Sequence, residues 1–162
     1  MTDEENLEEP PMVDVRLSRI VIRDGSDNQW IFLTERGGHR GFPIVIGSSE
    51  AHEIHRVLTK VAPGRPLTHQ LAFDSIRALG AEIKHIEIVD LRKNTFYAHL
   101  VIGSQEGDDT QVLDARPSDA LALGLRAGCP IRVAESLLEE VRSDSNGPDE
   151  LSDTPPPDEP SD

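Results

Sequence analysis

Asp114-Ala115-Arg116-Pro117-Ser118-Asp119 sets two carboxylates, a guanidinium and a hydroxyl side by side. The preceding Gln111-Val112-Leu113-Asp114 reads as a strand, and Pro117 suits the first position of a helix, so the group falls at a strand-to-helix junction. Amide donors exposed at such a junction favour anions. Arg116 can grip a phosphate through two parallel hydrogen bonds, Ser118 can add a third contact, and Asp114 or Asp119 can bind a divalent cation or orient a water. A purely structural reading fits as well: an acid in a first helical turn complements the helix dipole, and Arg116 can simply pair with it.

Other titratable residues bear on the same question. His69, in Pro66-Leu67-Thr68-His69, falls in the first turn of a helix, where it can act as an acid, a base or a metal ligand if the fold brings it near Asp114. A lone histidine beside a Thr cap can equally be a surface residue. Glu50 is an acid in the first turn of another helix. His52 and His55 stand three apart on that helix, a spacing that can hold a metal. No second pair of ligands accompanies them, and the apolar stripe through Ala51, Ile54 and Leu58 leaves both on a solvated face. Cys129 precedes Pro130 without an evident base and reads as structural. Phe96-Tyr97 can stack on a base, though an aromatic pair on a strand is more often core. The sequence holds neither a Gly-rich phosphate loop nor a Gly-x-Ser-x-Gly elbow.

The elements that must position these residues are legible from their periods. Met12 to Ile22 alternates before turning fully apolar, Asp24-Gly25 supplies a turn, and Gln29–Thr34 and Phe42–Ile46 follow as strands, giving a meander. After Gly47 the period becomes helical: Ser48 or Ser49 can cap a helix carrying Ala51, Ile54, Val57, Leu58 and Val61 until Pro63. Thr68 caps a second helix whose stripe is Leu71, Ala72, Ile76 and Leu79, ended by Gly80. Ile83–Leu91 and Thr95–Ile102 form a hairpin about Lys93-Asn94. A strand at Gln111–Asp114, a helix ending at Gly128, a short strand at Ile131–Val133 and a last helix over Ala134–Arg142 complete the order βββ-αα-βββ-α-β-α. Strict β/α alternation is absent, so the expectation is an α+β domain with a mixed, largely antiparallel sheet and helices packed against it.

Charge marks the limits of that domain. Residues 1–11 carry five acidic residues and 143–162 carry seven, with no Lys or Arg in either. Both read as disordered acidic tails around a domain over 12–142, the second rich in Pro and Ser. Removing those twelve from the thirty acidic residues leaves eighteen against sixteen basic, so the formal charge of −14 belongs mainly to the ends. A nearly neutral domain with thirteen Arg leaves room for a local basic patch, which the tails could occupy in competition with a ligand. No stretch approaches the ~18–20 apolar residues of a membrane span, and the acidic N-terminus lacks a signal-peptide pattern, so a cytoplasmic protein without membrane contact is expected.

Taken together, Gly41-Phe-Pro-Ile-Val-Ile-Gly47 with Glu50-Ala51, Arg65-Pro-Leu-Thr-His69, Leu79-Gly-Ala81, Asp90-Leu91 with Thr95-Phe-Tyr-Ala98, and Asp114-Ala-Arg-Pro-Ser-Asp-Ala120 resemble the bifunctional nuclease domain family in order and spacing. The resemblance covers about Val13 to Val141. It implies a nuclease acting on RNA and DNA, of a family found mostly in bacteria and also in plants, with nucleic acid as partner, and we expect a homo-oligomer. No catalytic set transfers with the resemblance, so roles follow from chemistry. Asp114 and Asp119, with Glu50, would hold a divalent ion such as magnesium that activates water, Arg116 and Ser118 would bind the phosphate, and His69 would serve as acid or base. The rival expectation is a non-catalytic, oligomeric ligand-binding or regulatory module in which Asp114 to Asp119 is a structural corner and Arg116 a buried partner.

Overall fold

A computed structural model describes residues 9–144, and the tails expected over 1–11 and 143–162 lie almost entirely outside them. Alternation decides the first three strands. β1 (Met12–Val21), β2 (Asn28–Glu35) and β3 (Gly41–Gly47) form an antiparallel meander. Gln29, Ile31 and Leu33 of β2 and Phe42, Ile44 and Ile46 of β3 point into the core, while Trp30, Phe32, Pro43 and Val45 face the other way. β4 (Ala81–Arg92) and β5 (Thr95–Ser104) follow as the expected hairpin. Lys93 and Asn94 make its two-residue turn with φ of 48° and 60°, the left-handed pair whose twist matches that of the strands.

β6 (Thr110–Ala115) and the short β7 (Ile131–Ala134) complete one seven-stranded sheet in the order β3-β2-β1-β7-β4-β5-β6. Every pairing is antiparallel except β4 with β7. The helices are α1 (Ser48–Thr59), α2 (Thr68–Ala78), α3 (Pro117–Ala127) and α4 (Glu135–Asp144). The order is the one the sequence predicts.

α3 is the central helix, packed on β4 and β5 and flanked by α1 and α2. Its Ala120, Leu121, Ala122, Leu123 and Gly124 are all buried. Gly124 sets how closely it lies: a Cβ there would come within 2.9 Å of Ile86 Cγ2 and 3.4 Å of Cys129 Sγ. Cys129 fills that seam, which pushes its thiol pKa upward by burial and agrees with a structural role.

Two local expectations are corrected. Neither Ser48, Ser49 nor Thr68 caps a helix; Gly47 and Leu67 hold the cap positions, and neither helix has a side-chain cap hydrogen bond. The buried stripe of α2 is also narrower than predicted, because this helix packs mainly on α3 and β4. Ala72, Phe73 and Ile76 pack inward, whereas Leu71 and Leu79 are 58% and 86% exposed. Phe96 does stack on Phe42 at 5.4 Å, closing the core between β5 and β3.

Gly124→Val should therefore lower stability by about 2–3 kcal/mol, since forced overpacking against Ile86 outweighs the removal of a flexible residue from a helix. The midpoint of urea unfolding measures it, and an unchanged midpoint would mean that the α3 seam has slack.

Candidate active site

Three helix N-termini converge on one open cleft. Glu50 lies in the first turn of α1, His69 in that of α2 and Asp119 in that of α3, and all three line a concavity of about 870 Å³ together with Arg116. Convergent helix N-termini present partial positive charge and unsatisfied amide donors, which suits an anion.

Asp119 organises the group. Its Oδ1 accepts from His69 Nε2 at 2.8 Å and from Arg116 Nη2 at 3.1 Å, and its Oδ2 accepts from Arg116 Nε at 2.8 Å. A carboxylate only accepts, so Nε2 of His69 carries the proton and Nδ1 of the neutral ring is left as a base. Partial burial raises the Asp119 carboxyl, but the hydrogen bonds and charges of Arg116 and His69 outweigh it and hold its pKa below the ordinary value. Arg116 is raised in turn, chiefly by its bond to Asp119. Its Nη2 also donates to Glu50 Oε1 at 3.2 Å. Glu50 folds back over Gly47, where any Cβ would collide with its carboxylate.

Arg116 is not the buried partner of the rival reading: its side chain is 65% exposed, against 29% for Asp119. Ser118 is buried and lines a neighbouring groove with Arg116, not the cleft itself.

Asp114 is the clear departure. In β6, Leu113 and Ala115 pair with core-facing Leu100 and Ala98, so Asp114, between them and opposite His99, points to the far face of the sheet. Its neighbours in register form a separate titratable group, in which His85 Nε2 and His99 Nδ1 flank Glu87 at 3.0 Å and 3.5 Å. The proposed Asp114–Asp119 ligand pair is therefore not formed. Among the described residues no group of three or more His, Cys, Asp or Glu is arranged to hold a metal ion, and both oxygens of Asp119 are committed to Arg116 and His69. The arranged residues do not fit a divalent ion. His52 and His55 are both solvent-exposed, as their position beside the apolar stripe predicts.

Glu53 is the residue that sequence reasoning passed over. Only 4% of its side chain is exposed, yet it carries a charge in the middle of α1. Its Oε2 accepts from Arg56 Nε and Nη2 at 3.0 Å and 2.7 Å, and its Oε1 accepts from Arg126 of α3. Arg126 also donates to Gln70 of α2, so one network joins the three helices that form the cleft. The only available signal was Glu53 three residues before Arg56, a spacing that solvent-exposed pairs share. Burial raises the Glu53 carboxyl, and the two guanidinium groups more than reverse it, leaving its pKa lowered.

Residues 31–146 match the bifunctional nuclease domain, and the chain belongs to that family. An uncharacterised protein of Mycobacterium tuberculosis is 42% identical over 130 residues, which span 80% of this chain and 76% of that one. Bifunctional nuclease 2 of Oryza sativa subsp. japonica is 29% identical over 109 residues, 66% of this chain and 33% of the plant protein. Bifunctional nuclease 2 of Arabidopsis thaliana is 28% identical over 97 residues, 59% and 29% of the two chains. The aligned part thus spans about a third of each plant relative. Among the described residues no helix is long and apolar enough to cross a membrane.

Removing the Glu53 charge should be costly. Glu53→Gln is expected to destabilise by about 3 kcal/mol at pH 7, because it strands Arg126 in a buried setting. The folded pKa is depressed, so the stabilisation is complete above the unfolded value near ~4.3 and is lost as pH falls through the folded value. Urea midpoints of wild type and variant should therefore converge in acid, and a constant gap would show that the charge is not what matters.

Proposed function

We propose that this chain hydrolyses phosphodiester bonds of RNA and DNA at the cleft between α1, α2 and α3. The observation that carries the reading is His69 held by Asp119 beside an exposed Arg116, where three helix N-termini favour an anion. Membership of the bifunctional nuclease domain family supports it.

In the proposed reaction a phosphate sits against Arg116, which balances the charge that builds on its oxygens. His69 Nδ1 takes a proton from water, the water oxygen attacks phosphorus, and the bond to the leaving oxygen breaks. That oxygen takes its proton from solvent in the open cleft. Asp119 fixes the ring and stabilises the imidazolium, as a carboxylate does in other His-centred sites. Glu50 steadies Arg116 from the second side. Asp114 takes no part.

Single-stranded RNA and DNA offered to the purified full chain provide the test. His69→Ala and Asp119→Asn should each lower kcat about 10²–10⁴-fold, the usual worth of a positioned base, with secondary structure by circular dichroism retained. Asp114→Ala should stay within twofold of wild type. Full activity in both cleft variants would overturn the assignment. Complete loss in EDTA would place the chemistry on a metal donor set that these residues, as arranged, do not make.

A further inference from the structure

The helices cover one face of the sheet, and the other face of β1, β2 and β3 carries a pattern the cleft does not use. A bulge at Ser18 resets the alternation of β1, so Arg16, Arg19 and Val21 all fall on this outer face. Two rungs then cross the three strands in register: Arg19, Phe32 and Pro43, and Val21, Trp30 and Val45. The Arg19 guanidinium lies 4.1 Å from the centre of the Phe32 ring, and that of Arg23 lies 5.3 Å from the Trp30 ring.

Charge separates these arginines from most others. Arg40, Arg56, Arg92, Arg116, Arg126 and Arg132 each meet a carboxylate. Among the described residues, Arg16, Arg19 and Arg23 meet none. Cations stacked on half-buried aromatic rings with no acid to neutralise them are suited to a strand with phosphates for the arginines and flat bases for the rings' uncovered edges.

The face is also continuous with the cleft. Pro43 and Val45, the last members of the two rungs, line a groove of about 440 Å³ with Asn94, Phe96 and Arg116, and Arg116 lines the cleft as well.

We infer that the outer face of β1–β2–β3 binds single-stranded nucleic acid and feeds it across β3 to Arg116. The direction of that path rests on the nuclease reading; the binding itself does not. The track would hold the strand by stacking and charge, independently of base sequence.

Trp30 is the only tryptophan of the chain and reports directly on this face. Titrating the full chain with dT12 or rU12 in EDTA at low salt should quench its fluorescence saturably. R19Q/R23Q should weaken binding tenfold or more and reduce the slope of log K against log salt by about 1.4, at ~0.7 per phosphate contact on single strands. R77Q/K84Q, with the same change of net charge elsewhere, should stay within twofold. In cleavage, R19Q/R23Q should raise KM for the oligonucleotide and leave turnover of bis(p-nitrophenyl) phosphate unchanged.

Binding without Trp30 quenching, no binding at all, or equal losses in both double variants would overturn the track. So would sedimentation showing that R19Q/R23Q dissociates an oligomer while oligonucleotide affinity holds, since the face would then seat a second copy of the chain. His69→Ala separates the two readings: quenching without cleavage in wild type sinks only the catalytic assignment, whereas cleavage that depends on His69 without quenching sinks only the track.

Discussion

A carboxylate buried to 4% exposure has to be answered by cations, and at Glu53 the answering groups come from its own helix and from α3. Arg126 then extends the same demand to Gln70 of α2. Sliding or rotating any one of the three helices would leave the buried Glu53 carboxylate or one of its partly buried partners unpaired, and an unpaired buried charge is costly. The relative placement of α1, α2 and α3 is constrained by that requirement together with the packing of α3 on Ile86. Because Glu50, His69 and Asp119 each sit in a first turn, fixing the helices also fixes the distances between these side chains.

Within the cleft the dominant exchange is between burial and charge at Asp119. Burial alone would favour the neutral acid, which could not accept from three donors; Arg116 and His69 reverse it. One carboxylate thereby orients the His69 ring and the Arg116 guanidinium at once. The same commitment leaves Asp119 no free oxygen, and the alternation of β6 sends Asp114 to the opposite face. The arrangement is suited to acid–base chemistry by a positioned histidine, with the converging helix N-termini supplying the field that an anionic substrate needs.

The two faces of the sheet differ in chemistry. The inner face is largely apolar and carries the helices, whereas on the outer face of the meander Arg19 and Arg23 lie over the half-buried rings of Phe32 and Trp30. One residue of bulge in β1 brings Arg19 to the same side as Arg16, and one residue, Arg116, is common to the groove and the cleft.

The element order is legible in the amino-acid sequence, because period-2 and period-3.6 patterns, the Lys93-Asn94 turn, Pro117 and the terminating Gly80 and Gly128 act over a few residues and need no partner. The sequence also singled out Glu50, His69, Arg116 and Asp119. It could not say that these four meet while Asp114 does not, since they come from three helices that only packing brings together, and the side of the sheet that Asp114 takes depends on its pairing with His99. Nor could it mark Glu53 as buried: a Glu three residues before an Arg looks the same on a solvated helix, and the arrival of Arg126 from α3 beside Arg56 is visible only in the fold. The tertiary structure decided those points, because the free energy of a buried charge is set by what stands around it and not by what precedes it in the chain.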